Sequence, residues 1–165
     1  MDAMLVCSIL LAVSYIGAAI WKERCIPESI SSIVYVFGER WLWTVWLWAV
    51  SFLTTIPAID VLSRIGMELL GFGTLACLVF CGGLPIIDKE NTTAHWVSGV
   101  AGCILSQLCV WFISYESMWV WMAFPFLFLS SYVQPDGWLG RMMKGKGVFL
   151  AEVICYVTLV GSMLA

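Results

Sequence analysis

The sequence predicts an all-α fold, a polytopic transmembrane bundle of six helices with both termini outside. Three observations carry that expectation. Hydrophobic residues make up 62 % of the chain, charged residues only 12 %, and mean hydropathy is +0.96. A soluble domain of this size needs more polar surface than that. The apolar residues also fall in long unbroken runs, each near the roughly 20 residues that a helix needs to cross a bilayer. So little sequence lies between the runs that the whole chain, 1–165, forms one transmembrane domain.

The spans follow in order, at about 3–21, 41–59, 66–87, 95–115, 118–133 and 148–165. The first is preceded by Asp2 and followed by Lys22, Glu23 and Arg24, the reverse of a secretory leader, so it reads as a retained span. The second carries Trp41, Trp43, Trp46 and Trp48. The third is glycine-rich and closes on Gly82-Gly83-Leu84-Pro85. Such an ending suggests either close packing or a broken helix that presents carbonyls to a cavity. The fifth is short and contains Pro125, which favours a kink.

Basic residues set the orientation. With the N-terminus outside, Lys22, Arg24, Arg40, Lys89, Arg141, Lys144 and Lys146 face the cytoplasm, and only Arg64 lies opposite. This positive-inside bias supports six spans in a cell inner membrane. Membrane lipids are the expected partners, together with a homo-oligomer of the chain. No basic stripe exists for nucleic acid.

Two connecting segments are more than turns. With Pro27 opening a helix, residues Ile26, Ile30, Ile33, Val34 and Phe37 share one face, which predicts an amphipathic helix on the cytoplasmic interface. The segment from Gly137 to Gly147 joins Trp138, Met142 and Met143 to three basic residues and suits anionic headgroups. On the outer side, Arg64 and Glu68 are spaced to pair on a helix. Trp41, Trp43, Trp96, Trp119 and Trp121 fit an interfacial aromatic belt.

Ionisable groups within spans are costly and mark candidate sites. Glu152 lies about one turn into the sixth span, on the order of 6 Å deep. It either snorkels toward a cation such as Lys146 or serves the site. His95, the only histidine, opens the fourth span after Asp88 has closed the third. Asp88, His95 and Glu152 therefore form the candidate polar site, a set able to shuttle a proton, act as a general base or bind a metal, though the usual spaced zinc signatures are missing. The bland alternative is a structural hydrogen bond from His95 to the turn at Asp88. Ser98, Gly99, Gly102 and Ser106 form small-residue rows on the fourth span, suited to close helix packing. Gln107, in mid-span, must find a partner across a helix interface. Six of the seven cysteines sit in apolar runs, where they read as small packing residues. Walker loops, nucleophile elbows, His-Glu-x-x-His and Cys-x-x-Cys are absent, and no catalytic residue, metal site or cofactor is indicated.

The stretch from Gly82-Gly83-Leu84-Pro85 through Asp88 to His95, continuing to Gly99 and Gly102, resembles small six-span integral membrane proteins of bacteria and phages. Pro27-Glu28-Ser29-Ile30-Ser31 is similar to the same group. The resemblance implies a multi-span helical fold and no particular activity. A more distant likeness is to multi-span hydrolases of the ceramidase type, which use several histidines where this chain has one. Three function classes follow. The leading one is binding or passage of a small solute or ion, followed by an intramembrane lipid hydrolase or transferase using His95, and then an assembly or partner-binding protein.

Overall fold

In the computed structural model, residues 2–87, 92–123, 125, 129 and 144–165 are described. They form helices α1 (Asp2–Glu23), α2 (Ile33–Phe37), α3 (Arg40–Ser63), α4 (Glu68–Ile87) and α5 (Thr92–Ser114), a 3-10 segment (Tyr115–Met122) and α6 (Gly147–Leu164). No strand occurs among the described residues. Five helices are long and apolar enough to cross a membrane: Ala3–Glu23, Arg40–Ser63, Glu68–Ile86, Thr93–Met122 and Gly147–Leu164. Asp88, most of the expected fifth span and the segment around Trp138, Met142 and Met143 lie outside the described residues.

Local chemistry sets the helix ends. α3 stops where Gly66 adopts φ 72°, a left-handed geometry that a β-carbon disfavours. Met67 N–H then reaches back to Leu62 O at 3.0 Å and Gly66 N–H to Ser63 O at 3.3 Å, the paired bonds of a Schellman turn. This reversal sends α4 antiparallel to α3 and separates Arg64 from Glu68. Arg64 pairs instead with Asp60, one turn back on its own helix, at 3.0 Å. The expected Arg64–Glu68 pair is thereby corrected.

α4 packs between α3 and α5, α6 packs on α5, and α1 lies against α3. Two apolar clusters hold the bundle. One joins Ala12, Tyr15 and Ala19 of α1 to Ile33 and Val34 of α2 and to Trp43, Trp46 and Val50 of α3. The other joins Leu5 of α1, Ala58 and Leu62 of α3, Cys109 and Val110 of α5, and Leu159 and Met163 of α6. Trp43 therefore does not belong to an interfacial belt. It is 2 % exposed, with Tyr15 stacked on its neighbour Trp46 at a ring distance of 4.4 Å. Trp41, Trp96 and Trp119 are exposed.

Residues 26–37 also differ from the expected interfacial helix. Ile33 and Val34 are buried against α1 and α3, and Ile30 and Phe37 pack beside them. The apolar face is thus consumed inside the protein. Ser29 and Ser32 lock the entrance to α2 reciprocally: Ser32 N–H donates to Ser29 Oγ at 3.0 Å and Ser29 N–H to Ser32 Oγ at 3.3 Å. The first donors of α2 itself go to backbone carbonyls, Ile33 N–H to Ile30 O at 3.1 Å and Val34 N–H to Ser31 O at 3.3 Å.

A polar seam between the fifth and sixth helices

Glu152 and His95 take different partners. Glu152 Oε2 accepts the backbone N–H of Ile30 at 2.5 Å, and Phe149 N–H donates to Glu28 O at 3.1 Å. The strap of residues 28–30 thus clamps the first turns of α6, satisfying one of the amide donors that a helix N-terminus leaves open. Glu152 does not reach for Lys146. A sequence-local view misses this partner because Ile30 lies 122 positions away.

His95 answers a defect in α4. Pro85 has no N–H, so the carbonyl four residues earlier, at Cys81, loses its helical donor. His95 Nδ1–H supplies it, donating to Cys81 O at 3.0 Å. The carbonyl can only accept, so Nδ1 carries the proton. Neighbouring carbonyls of α4 are served from α3. Thr44 Oγ1–H donates to Gly82 O at 2.6 Å, Trp48 Nε1–H to Val79 O at 2.8 Å, and Arg40 Nη1–H to Pro85 O at 3.3 Å. Gly82 permits this approach, since a β-carbon there would stand 3.0 Å from the Trp48 ring. α4 accordingly runs unbroken through Pro85, and the expected broken end with carbonyls facing a cavity is not formed.

The small residues of α5 face α4 and α6. Ser98 and Ser106 are buried. A β-carbon on Gly102 would meet Leu78 Cδ2 at 3.0 Å and one on Gly99 would meet Cys81 Sγ at 3.5 Å, so both glycines lie directly on α4.

Gln107 is the polar centre of the α5–α6 contact. Its Nε2–H donates to Cys155 O at 3.2 Å and to Ser106 Oγ at 3.2 Å. Its Oε1 accepts Trp121 Nε1–H at 2.7 Å and Thr158 Oγ1–H at 3.0 Å. One side chain therefore ties α5, α6 and the 3-10 segment together. The sequence signals that Gln107 needs a partner; only the fold names three.

α5 and α6 run parallel, with Gln107 level with Cys155 and Thr158. Along the seam, α6 presents Glu152, Cys155, Thr158 and Ser162 at spacings of three to four residues, one face of a helix. α5 adds Cys103, Ser106 and Gln107. At the far end, Ser162 lines a cleft of about 410 Å3 together with Trp111, Ser114, Tyr115 and Glu116. Thiols, hydroxyls and an amide thus line this face between Glu152 and the cleft; hydrogen bonds join Gln107 to Cys155 O and Thr158, while Ser162 Oγ–H turns back to Leu159 O.

Among the described residues no three His, Cys, Asp or Glu side chains come together in a way that would hold a metal ion. No protein-family model, curated protein or solved structure matches the chain. Among the described residues the protein is helical, with five helices long and apolar enough to cross a membrane.

Proposed function

We propose that the protein is a multi-pass membrane protein that passes a small ion, a proton being best suited, along the seam between α5 and α6. The observation that carries this reading is the polar file from Glu152 through Cys155, Gln107 and Thr158 to the cleft at Ser162. A carboxylate inside a membrane-length helix is expensive to keep, and such groups commonly mark ion or proton paths. Hydroxyls, thiols and amides both donate and accept hydrogen bonds, which suits proton hopping better than passage of a bulky solute. The positive-inside count supports six spans, both termini outside, in a cell inner membrane.

The test is proton flux into vesicles carrying the reconstituted protein and an entrapped pH dye, driven by a potassium diffusion potential. Wild type conducts above protein-free vesicles, and Glu152→Gln, which keeps an acceptor for Ile30 N–H, reduces flux to the protein-free rate. Undiminished flux in that variant would falsify the reading.

The hydrolase reading keeps His95 as a base, since Nδ1–H held by Cys81 O leaves Nε2 basic, but Glu152 is engaged by Ile30 N–H rather than by the imidazole. The partner-binding reading loses its main motive too, since the apolar face of residues 30–37 is occupied by α1 and α3.

A further inference from the structure

We propose that the cleft where α5 ends beside α6 is a binding site for an organic ammonium ion. Its walls bring together groups that attract such a cation. Trp111, Phe112 and Tyr115 supply aromatic rings, Ser114 a hydroxyl and Glu116 a carboxylate, with Ser162 of α6 on the facing wall. α5 stops at this point because Ser114 takes an extended backbone, φ −158° and ψ 92°, and breaks the helical ladder. Carbonyls in the last turn of a helix lack donors within it and form the negative end of its dipole. The residues that bear them, Trp111 to Ser114, line the cleft.

Charge at this end of the bundle acts in the same direction. Leu62, Val110 and Met163 pack in one cluster, so the ends of α3, α5 and α6 lie on one side. Among the described side chains there, Arg64 is the one cation, and Asp60 holds it at 3.0 Å. Nothing among the described residues pairs with the Glu116 carboxylate. Lysine, arginine and histidine are absent from the described lining, so an anion would meet no counter-charge. The size selects the class of cation. A cleft of about 410 Å3 is far larger than a bare metal ion needs and falls within the roughly 300–1,000 Å3 of small-molecule sites. Aromatic faces attract an ammonium through the ring quadrupole, and best when that cation sheds its water, as an alkylated ammonium does readily. A dissolved amine and the headgroup of a choline phospholipid offer this same chemistry. Binding at the cleft does not require conduction along the seam.

The test is equilibrium dialysis of radiolabelled choline against the full chain in dodecyl maltoside micelles, which carry neither charge nor amine. Wild type should bind choline saturably. The carbon isostere of choline, in which a quaternary carbon replaces the nitrogen, should not compete. Trp111 and Glu116 are exposed, so Trp111→Leu and Glu116→Gln leave the core intact. Each variant, checked for native helicity, should weaken binding about 10-fold. Phosphatidylcholine added to the micelles separates the two sources. Displacement of choline by a few lipids per chain identifies a lipid headgroup, undiminished binding identifies a soluble ammonium, and either sustains the site. Absence of saturable binding, equal competition by the neutral isostere, or wild-type affinity in either variant overturns the proposal. Flux is not read in this assay, so the site stands or falls apart from the conduction reading.

Discussion

Replacing Gln107 by methionine keeps the length of the side chain and removes every polar atom from the centre of the α5–α6 contact. Three of its four hydrogen bonds cross between elements, to Cys155 O, Thr158 Oγ1 and Trp121 Nε1. Hydrogen bonds between helices in bilayers average about 0.6 kcal/mol each, so three set a scale of about 2 kcal/mol. Thr158 lowers that figure, since its hydroxyl keeps Ile154 O at 2.8 Å and is not orphaned. Cys155 O raises it to the extent that a carbonyl is left with fewer donors. The expected loss is about 1–2 kcal/mol of unfolding free energy. Reversible unfolding in mixed micelles, titrated with dodecyl sulfate and followed by far-ultraviolet circular dichroism, measures it. Ser14→Ala is the control, because that hydroxyl is exposed and bonds only to Leu11 O on its own helix. A double-mutant cycle with Thr158→Val should return a coupling of about 0.6 kcal/mol. If Gln107→Met unfolds with the Ser14→Ala control, and the cycle shows no coupling, the amide is not a tie between helices and the reasoning fails.

Other outcomes follow from the same geometry. His95→Ala should cost about 1–2 kcal/mol by stranding Cys81 O; adding Pro85→Ala should recover much of it, because the new N–H at position 85 reclaims that carbonyl, and no recovery would refute the repair role of the imidazole. Gly71→Ala should cost about 1–3 kcal/mol through overpacking, since the added β-carbon would stand 2.5 Å from Ile59 Cγ1. Gly161→Ala, which meets nothing within 4 Å, should be near neutral on the same unfolding assay. Ile33→Ala, at a fully buried position on α2 just after the strap, should cost about 2–3 kcal/mol and speed tryptic cleavage after Arg24; an unchanged cleavage rate would show that the 24–37 segment is not held by that face.

Five membrane-length helices, at Ala3–Glu23, Arg40–Ser63, Glu68–Ile86, Thr93–Met122 and Gly147–Leu164, were readable in their approximate places from the chain alone. An apolar run of membrane length reports its own free energy of burial in lipid, and that energy depends on composition rather than on neighbours. The need for a partner was equally plain for Gln107, and so was the anomaly of Glu152, because a polar group in a span declares its cost wherever it packs. Partner identity was another matter. That His95 would serve Cys81 O depended on Pro85 freeing a carbonyl on the adjoining helix at the same height. That coincidence has no signature along a single chain. Trp43 and Trp41 are two residues apart and chemically alike, yet one is core and the other exposed. Helix rotation decided between them, and rotation comes from packing against α1 and α2. The strap's apolar stripe was legible as amphipathic, but a lipid interface and a protein groove present the same apolar demand. Only the arrangement of α1 and α3 supplied the groove. In a membrane the hydrophobic effect fixes which segments enter, while the pairing of helices rests on short-range fit and a few hydrogen bonds between residues far apart in sequence.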